Sequence, residues 1–270
     1  MASERQLKRI IIVIISLIII AVIASLFYFV FKSSPTCFDG IKNQGEEDAD
    51  CGGPCSSCFK PQNILVSQTK ILKVRSNNYD IIALIKNPNF SEAFSGFLYE
   101  FVLYDASGEK LASKSADSYI FPGEEKYIIE RGIFSSKEPS RVELKIADEE
   151  WQRIENFTPP QILIRDRNYT VIDNGFVFSE LTGVLVNESN FDFDKILIKS
   201  ILKNKFGDVL AVGLTELRTV KSGESRFFKV DWFDRFEGRV ESFEITPETN
   251  LFLNENFLKR QGIEGKFRKL

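Results

Sequence analysis

The sequence predicts an all-β protein: two tandem β-sandwiches behind an N-terminal transmembrane helix and a small disulfide-rich module. Three observations carry this expectation. An uncharged run from Ile10 to Phe31 stands near the start of the chain. All four cysteines follow it, between Cys37 and Cys58. Behind them, strand-like segments rich in Phe, Ile and Val occur in two matching copies, and no long helical period interrupts them.

Residues 1–9 read as a cytoplasmic tail and residues 10–31 as the transmembrane helix. The 22 uncharged residues make a helix of about 33 Å, against a bilayer core of about 30 Å. Arg5, Lys8 and Arg9 precede the run, and Lys32 alone follows closely. The positive-inside rule then puts the N-terminus in the cytoplasm and the bulk of the chain outside, as a single-pass protein of the cell membrane. A cleaved signal peptide is the competing reading, but its apolar core of about 7–15 residues is shorter than this run.

Residues 32–60 form the cysteine-rich module. Its cysteines, Cys37, Cys51, Cys55 and Cys58, fit either two disulfides or a thiolate metal clip. Thiols on the outer face of a membrane are normally oxidised, which favours disulfides. Four cysteines allow three pairings, and spacing alone does not choose among them. Gly52-Gly53-Pro54 supplies a tight turn, since Gly accepts positive φ and Pro fixes its own. Asp39, Glu46, Asp48 and Asp50 crowd the same loop and are candidate calcium ligands. Their spacing does not match an EF-hand, and a solvated acidic loop is the alternative. No other cofactor is expected. The pattern C-x-D-G-x-x-N-x-x-E-x-D-x-D-C-G-G-x-C-x-x-C, from Cys37 to Cys58, resembles a short cysteine-rich module recurrent in bacterial exported and surface proteins. The resemblance implies a structural, extracytoplasmic role without catalysis.

The remainder is duplicated. Ile85–Phe90 corresponds to Val186–Phe191, and Asp105–Gly108 to Lys205–Gly207. Pro122-Gly123-Glu124 corresponds to Ser222-Gly223-Glu224, and Arg141-Val142-Glu143 to Arg239-Val240-Glu241. From Asn87 to Gly123 and from Asn187 to Gly223 the distance is 36 residues in both copies. The period is too long for a solenoid and suits two domains: sandwich 1 over residues 61–156 and sandwich 2 over 157–253, each with seven to eight strands. Arg141–Ile146 and Phe228–Trp232 alternate polar and apolar, so each buries one face. Ile81–Ile85 and Phe101–Tyr104 are short apolar runs suited to strands inside a sandwich. Asp105–Gly108 and Asn204–Gly207 are hairpin turn signals. Pro159-Pro160 favours an extended, stiff joint, so the expectation is a rod of anchor, knot, sandwich, joint and sandwich. Residues 254–270 read as a frayed basic tail carrying Lys259, Arg260, Lys266, Arg268 and Lys269.

Phe101-Val102-Leu103-Tyr104-Asp105-x-x-Gly108, after Ile82-x-x-Ile85-x-Asn87, resembles the bacterial FxLYD-type domain, which is similar to the desiccation-related LEA/WHy sandwiches. The second copy keeps Leu181-Thr-Gly183-Val-Leu-Val186-Asn187 and Gly223-Glu224. It departs at the eponymous strand, which reads Ile198-Lys-Ser-Ile201-Leu202-Lys203-Asn204. The resemblance implies two immunoglobulin-like sandwiches on an envelope protein.

Histidine is absent, which removes the commonest general base and metal ligand. Neither a phosphate-binding glycine loop nor a dinucleotide fingerprint occurs. The net charge of −3 gives no ground for nucleic-acid binding, and no small-molecule substrate is evident. Asn89-Phe-Ser, Asn156-Phe-Thr, Asn168-Tyr-Thr and Asn187-Glu-Ser are glycosylation sequons. The reading is a membrane-anchored structural or binding protein of the cell envelope, not an enzyme, whose sandwiches meet a protein or cell-wall partner. The alternative is an accessory subunit of a secretion, transport or signalling assembly. A thiol-redox or hydrolytic enzyme is the remote third reading.

Overall fold

The computed structural model describes residues 4–31, 37–56, 58, 61–147, 151–154 and 157–260. The chain divides into two compact units, Met1–Lys60 and Pro61–Leu270.

The first unit opens with helix α1, Glu4–Phe31. Its segment Lys8–Tyr28 is long and apolar enough to cross a membrane. Isoleucines 10 to 20 along it are exposed, as they must be on a helix that buries no side against protein. The module after it is closed by two disulfides, Cys37–Cys55 and Cys51–Cys58. Gly52 and Gly53 both take positive φ, at 79° and 58°. A side chain at Gly53 would lie 2.5 Å from the Gly45 carbonyl oxygen, so the turn between the bridges needs glycine on space as well as on φ.

The second unit is all-β apart from its C-terminal end. Its first half contains β1 (Leu65–Arg75), β2 (Asn78–Lys86), β3 (Glu92–Tyr104), β4 (Lys110–Ile120), β5 (Glu125–Phe134), β6 (Arg141–Ile146) and the two-residue β7 (Gln152–Arg153). Its second half contains β8 (Ile162–Val171), β9 (Ser179–Asn187), β10 (Phe193–Lys203), β11 (Val209–Val220), β12 (Ser225–Trp232) and β13 (Ser242–Glu248). A single 3₁₀ turn, Leu251–Leu253, and helix α2, Glu255–Arg260, follow. The sheets run β1-β2-β5 and β4-β3-β6 in the first half, and β8-β9-β12 and β11-β10-β13 in the second. The second pair repeats the first strand for strand, which makes the duplication structural. Among the described residues the first half carries seven strands, the last of only two residues, as the expected seven to eight allow, and the second half carries six, because most strands run to nine or more residues and use up the chain.

Each sandwich has its own core. Ile81, Ala83, Ile85, Phe97, Phe101, Leu103, Ile128 and Leu144 fill the first. Leu181, Leu185, Ile196, Ile198, Phe228, Val230 and Trp232 fill the second. Trp151 stacks on Phe94 with centroids 3.9 Å apart. The Trp232 indole N–H donates to the Val212 carbonyl at 3.0 Å. Both tryptophans therefore pack in or beside a core.

Two features correct the expected rod. Leu72, Ile82 and Ile129 of the first sandwich form one buried cluster with Ile201 and Val212 of the second. These side chains leave their strands on the face opposite the sandwich cores, so the central strands β2 and β10 are buried on both faces. That explains the unbroken apolar runs Ile81–Ile85 and Ile196–Ile198, since a strand buried twice does not alternate. The expected frayed tail is also wrong up to residue 260. Phe257 and Leu258 of α2 are buried. Phe121 stacks on Phe157 and on Phe252 at 4.6 and 4.8 Å, and Phe257 meets Phe157 and Phe191 edge-on. The aromatic wedge fills the crevice between the sandwiches, so the Pro159-Pro160 joint does not act as a free spacer. Lys266, Arg268 and Lys269 lie outside the described residues.

Candidate functional site

The duplicated asparagine and Gly-Glu turn form one device, present twice. The Asn87 side-chain NH₂ donates to the Glu92 and Phe121 carbonyls at 2.6 and 2.8 Å, and its Oδ1 accepts the Asn89 N–H at 2.9 Å. Asn187 donates to the Phe191 and Lys221 carbonyls at 2.7 and 3.0 Å, and accepts the Ser189 N–H at 3.1 Å. The Glu124 and Glu224 carboxylates accept the Phe121 and Lys221 N–H groups, both at 2.8 Å. Both asparagines are fully buried. They are fold positions, as a fully satisfied buried amide usually is. Of the sequons, Asn89 and Asn187 are closed to glycosylation by burial, and Asn156 lies outside the described residues.

In the cysteine module the candidate calcium carboxylates serve as backbone acceptors. Asp50 Oδ1 accepts the Asp39 and Gly40 N–H groups at 2.8 and 2.9 Å. Glu46 Oε2 accepts the Asn43 N–H at 3.0 Å, and Asp39 Oδ2 accepts the Asn43 NH₂ at 3.1 Å. Asp48 Oδ1 accepts the Ala49 N–H at 2.8 Å. Among the described residues these four carboxylates do not gather within ligand distance of one another. Glu46 instead groups with Cys37 and Cys55, whose sulfurs are bonded to each other and so are not thiolate ligands.

The polar constellation that sequence reasoning missed lies where the sandwiches meet. Glu248, on β13, receives two lysines. Lys126 from β5 donates to its Oε1 at 2.9 Å, and Lys199 from β10 pairs with its Oε2. Lys199 also donates to the Tyr127 carbonyl at 2.6 Å, and Lys126 sits 3.7 Å from the Tyr119 ring centroid. Both lysines are buried. Burial would push the Glu248 carboxyl up, but the two ammonium groups hold it down to about 2. Burial also pushes Lys199 down, against the pull of Glu248. Glu124, from the first Gly-Glu turn, is the fourth member, and burial pushes its carboxyl up. Its counterpart Glu224 is solvated and held down by the Lys221 N–H and Arg226. A cleft of about 270 Å³ opens beside the cluster, with Tyr99, Tyr119, Lys195, Lys199, Glu248 and Asn250 on its wall.

A lysine with a depressed pKa invites a catalytic reading. Here its head is committed to a carboxylate and a backbone carbonyl, both acceptors of its charged form, which is the arrangement of a structural tie. The sequence carried one signal: Lys199 interrupts the apolar run Ile196–Leu202, where a two-faced buried strand leaves no solvent for it.

No protein-family model matches this chain, and no curated protein does. Among solved structures, the chain is similar to red sea bream transglutaminase at 10% identity and a TM-score of 0.21, over 70% of this chain and 30% of that one. Such an overlap carries no argument about function.

Proposed function

We propose that this chain is a membrane-anchored, extracytoplasmic structural or binding protein of the cell envelope, in which two FxLYD-type, immunoglobulin-like sandwiches form one stiff body. It works by presenting surfaces to a protein or cell-wall partner and not by catalysis. The observation that carries the reading is the succession of an apolar membrane-length helix and a two-disulfide module. Disulfides persist where the environment is oxidising, and Arg5, Lys8 and Arg9 stand on the other side of the helix. The interface of paired charges and stacked aromatics supports a rigid presenting role, since it fixes both sandwiches in one geometry.

Protease treatment of intact cells and spheroplasts tests the topology, combined with thiol labelling after denaturation. The sandwiches should be cut from outside, and no thiol should label without a reductant. Full protection of the sandwiches in spheroplasts together with four labelled thiols would sink the proposal.

A further inference from the structure

Among the described residues the fold leaves one sequon open. Asn89 and Asn187 are buried, and a glycan on either would have no room in the folded chain. Asn168 is exposed, and so are Asp166, Arg167 and Thr170 around it. This run lies on β8, an edge strand of the β8-β9-β12 sheet. The ladder pairs Arg165 with Val184 and Asn168 with Thr182, so Asp166 and Arg167 together stand opposite Gly183 alone. Asp166 takes a positive φ of 50°. A bulge of this kind takes the extra residue out of the ladder and bends the strand. Beyond it, Tyr169 points inward, packs on the second core and meets Trp232 edge-on at 6.2 Å. Side chains alternate along a strand, so Asn168 and Thr170 point outward together. The Asn168 side-chain NH₂ donates to the Thr170 hydroxyl at 2.8 Å.

We propose that Asn168 is an N-glycosylation site, loaded by a bacterial-type oligosaccharyltransferase from a polyprenyl-pyrophosphate-linked oligosaccharide. Three arguments select this residue. Asn168-Tyr-Thr170 supplies the acceptor amide and the hydroxyl of a sequon, both on the surface, where a bulky glycan is tolerated. Transferases of the bacterial type also read an acidic residue two positions before the asparagine. Asp166 stands there for Asn168, whereas Asn87, Ile154 and Leu185 stand there for Asn89, Asn156 and Asn187. The surrounding face is polar, with Asn168 in register with Thr182 and Lys229, and Thr170 with Glu180 and Asp231. A hydrophilic glycan lies over such a face without covering apolar surface. In the transfer, the Asn168 Nδ2 forms a bond to the anomeric carbon of the first sugar. The bond from that carbon to the pyrophosphate oxygen breaks, its electron pair leaves with the lipid pyrophosphate, and one Nδ2 proton passes to a base of the transferase. The inference rests on the extracytoplasmic reading above, since sequons are loaded in exported chains.

The test is mass spectrometry of the full chain taken from the membranes of its own cells, beside protease treatment of spheroplasts from the same culture. The intact mass should exceed that of the polypeptide by whole sugar residues. Site-localised peptides should place the increment on Asn168 and leave Asn89 and Asn187 bare. Asn168→Gln and Thr170→Ala should each abolish the increment while the urea midpoint of the sandwiches is kept. Asp166→Asn, which keeps a residue tolerant of positive φ, should lower occupancy at least tenfold, and Asp166→Glu should retain it. A bare Asn168 on sandwiches that are cut from outside overturns this proposal alone. A bare Asn168 on sandwiches protected in spheroplasts overturns it together with the extracytoplasmic reading. A glycan that survives Thr170→Ala, an occupancy indifferent to Asp166→Asn, or equal loading of Asn187 also overturns it.

Discussion

Glu248 is the residue on which the joint between the sandwiches turns. Its carboxylate is the shared acceptor of two buried ammonium groups, one from each sandwich. A buried pair of this kind adds little over an apolar contact of equal volume, but removing one partner strands the others at about 3–5 kcal/mol. The sign with pH follows from the depressed value. The folded carboxyl titrates near 2, below its unfolded value of about 4.3, so its contribution is present above about pH 4.3 and is lost as pH falls through 2. Glu124 works in the opposite direction. Its raised folded value contributes stability at low pH that is lost as pH rises from the unfolded to the folded value. Urea unfolding of Glu248→Gln between pH 2 and 7 should show a loss of about 3 kcal/mol near neutrality and a flattened acid limb. An unchanged acid limb would mean that Glu248 is not the group that titrates. Asn87 was legible in the sequence because the duplication marked it, and its partners, the Glu92 and Phe121 carbonyls, lie within the same sandwich. Lys126, Lys199 and Glu248 were not, because their meeting depends on how two domains pack, which no local spacing encodes.

At the scale of the element, the strands were legible where one face is wet. Val142 and Leu144 point inward with Arg141 and Lys145 outward, as alternation requires. Strands buried on both faces read as undirected apolar runs, and the second face was invisible for that reason. α2 escaped notice because six residues offer too little period, and its basic last turn, Lys259 and Arg260, looks like solvated tail. β11 carries a further constraint. Gly213 has ordinary extended backbone, yet a Cβ there would lie 2.3 Å from Val230 Cγ1 and 2.8 Å from Trp232 Cζ2. The two sheets of sandwich 2 approach too closely at this point for a methyl group. Gly213→Ala should therefore destabilise by about 1–3 kcal/mol through overpacking, measured by denaturant unfolding. Gly108→Ala is the informative comparison: no atom crowds that position, so its cost is set by positive φ alone, and a larger loss there than at Gly213 would contradict the packing account.

At the scale of the molecule, duplication has produced a stack that ends at two. The covered face of sandwich 1 contributes Leu72, Ile82 and Ile129. By strand register their counterparts in sandwich 2 are Thr170, Thr182 and Lys229. Three apolar anchors in the first copy are thus polar in the second, so the second copy does not offer its sheet to a third sandwich in the same way. What the first copy gains is coupling. With Ile201 and Val212 facing those anchors and α2 wedged against both halves, neither sandwich unfolds without exposing apolar surface on the other, and a shared core makes one cooperative unit. The chain supplies its own probes, because its two tryptophans fall one in each half: Trp151 beside the first core and Trp232 inside the second. Single-tryptophan variants, Trp151→Phe and Trp232→Phe, should report coincident midpoints in urea. Ile201→Asp places an unpaired charge in the interface cluster and should split the transition, with the two tryptophans then reporting different midpoints. Separate midpoints in the unsubstituted interface would return the molecule to two independent sandwiches on a flexible joint.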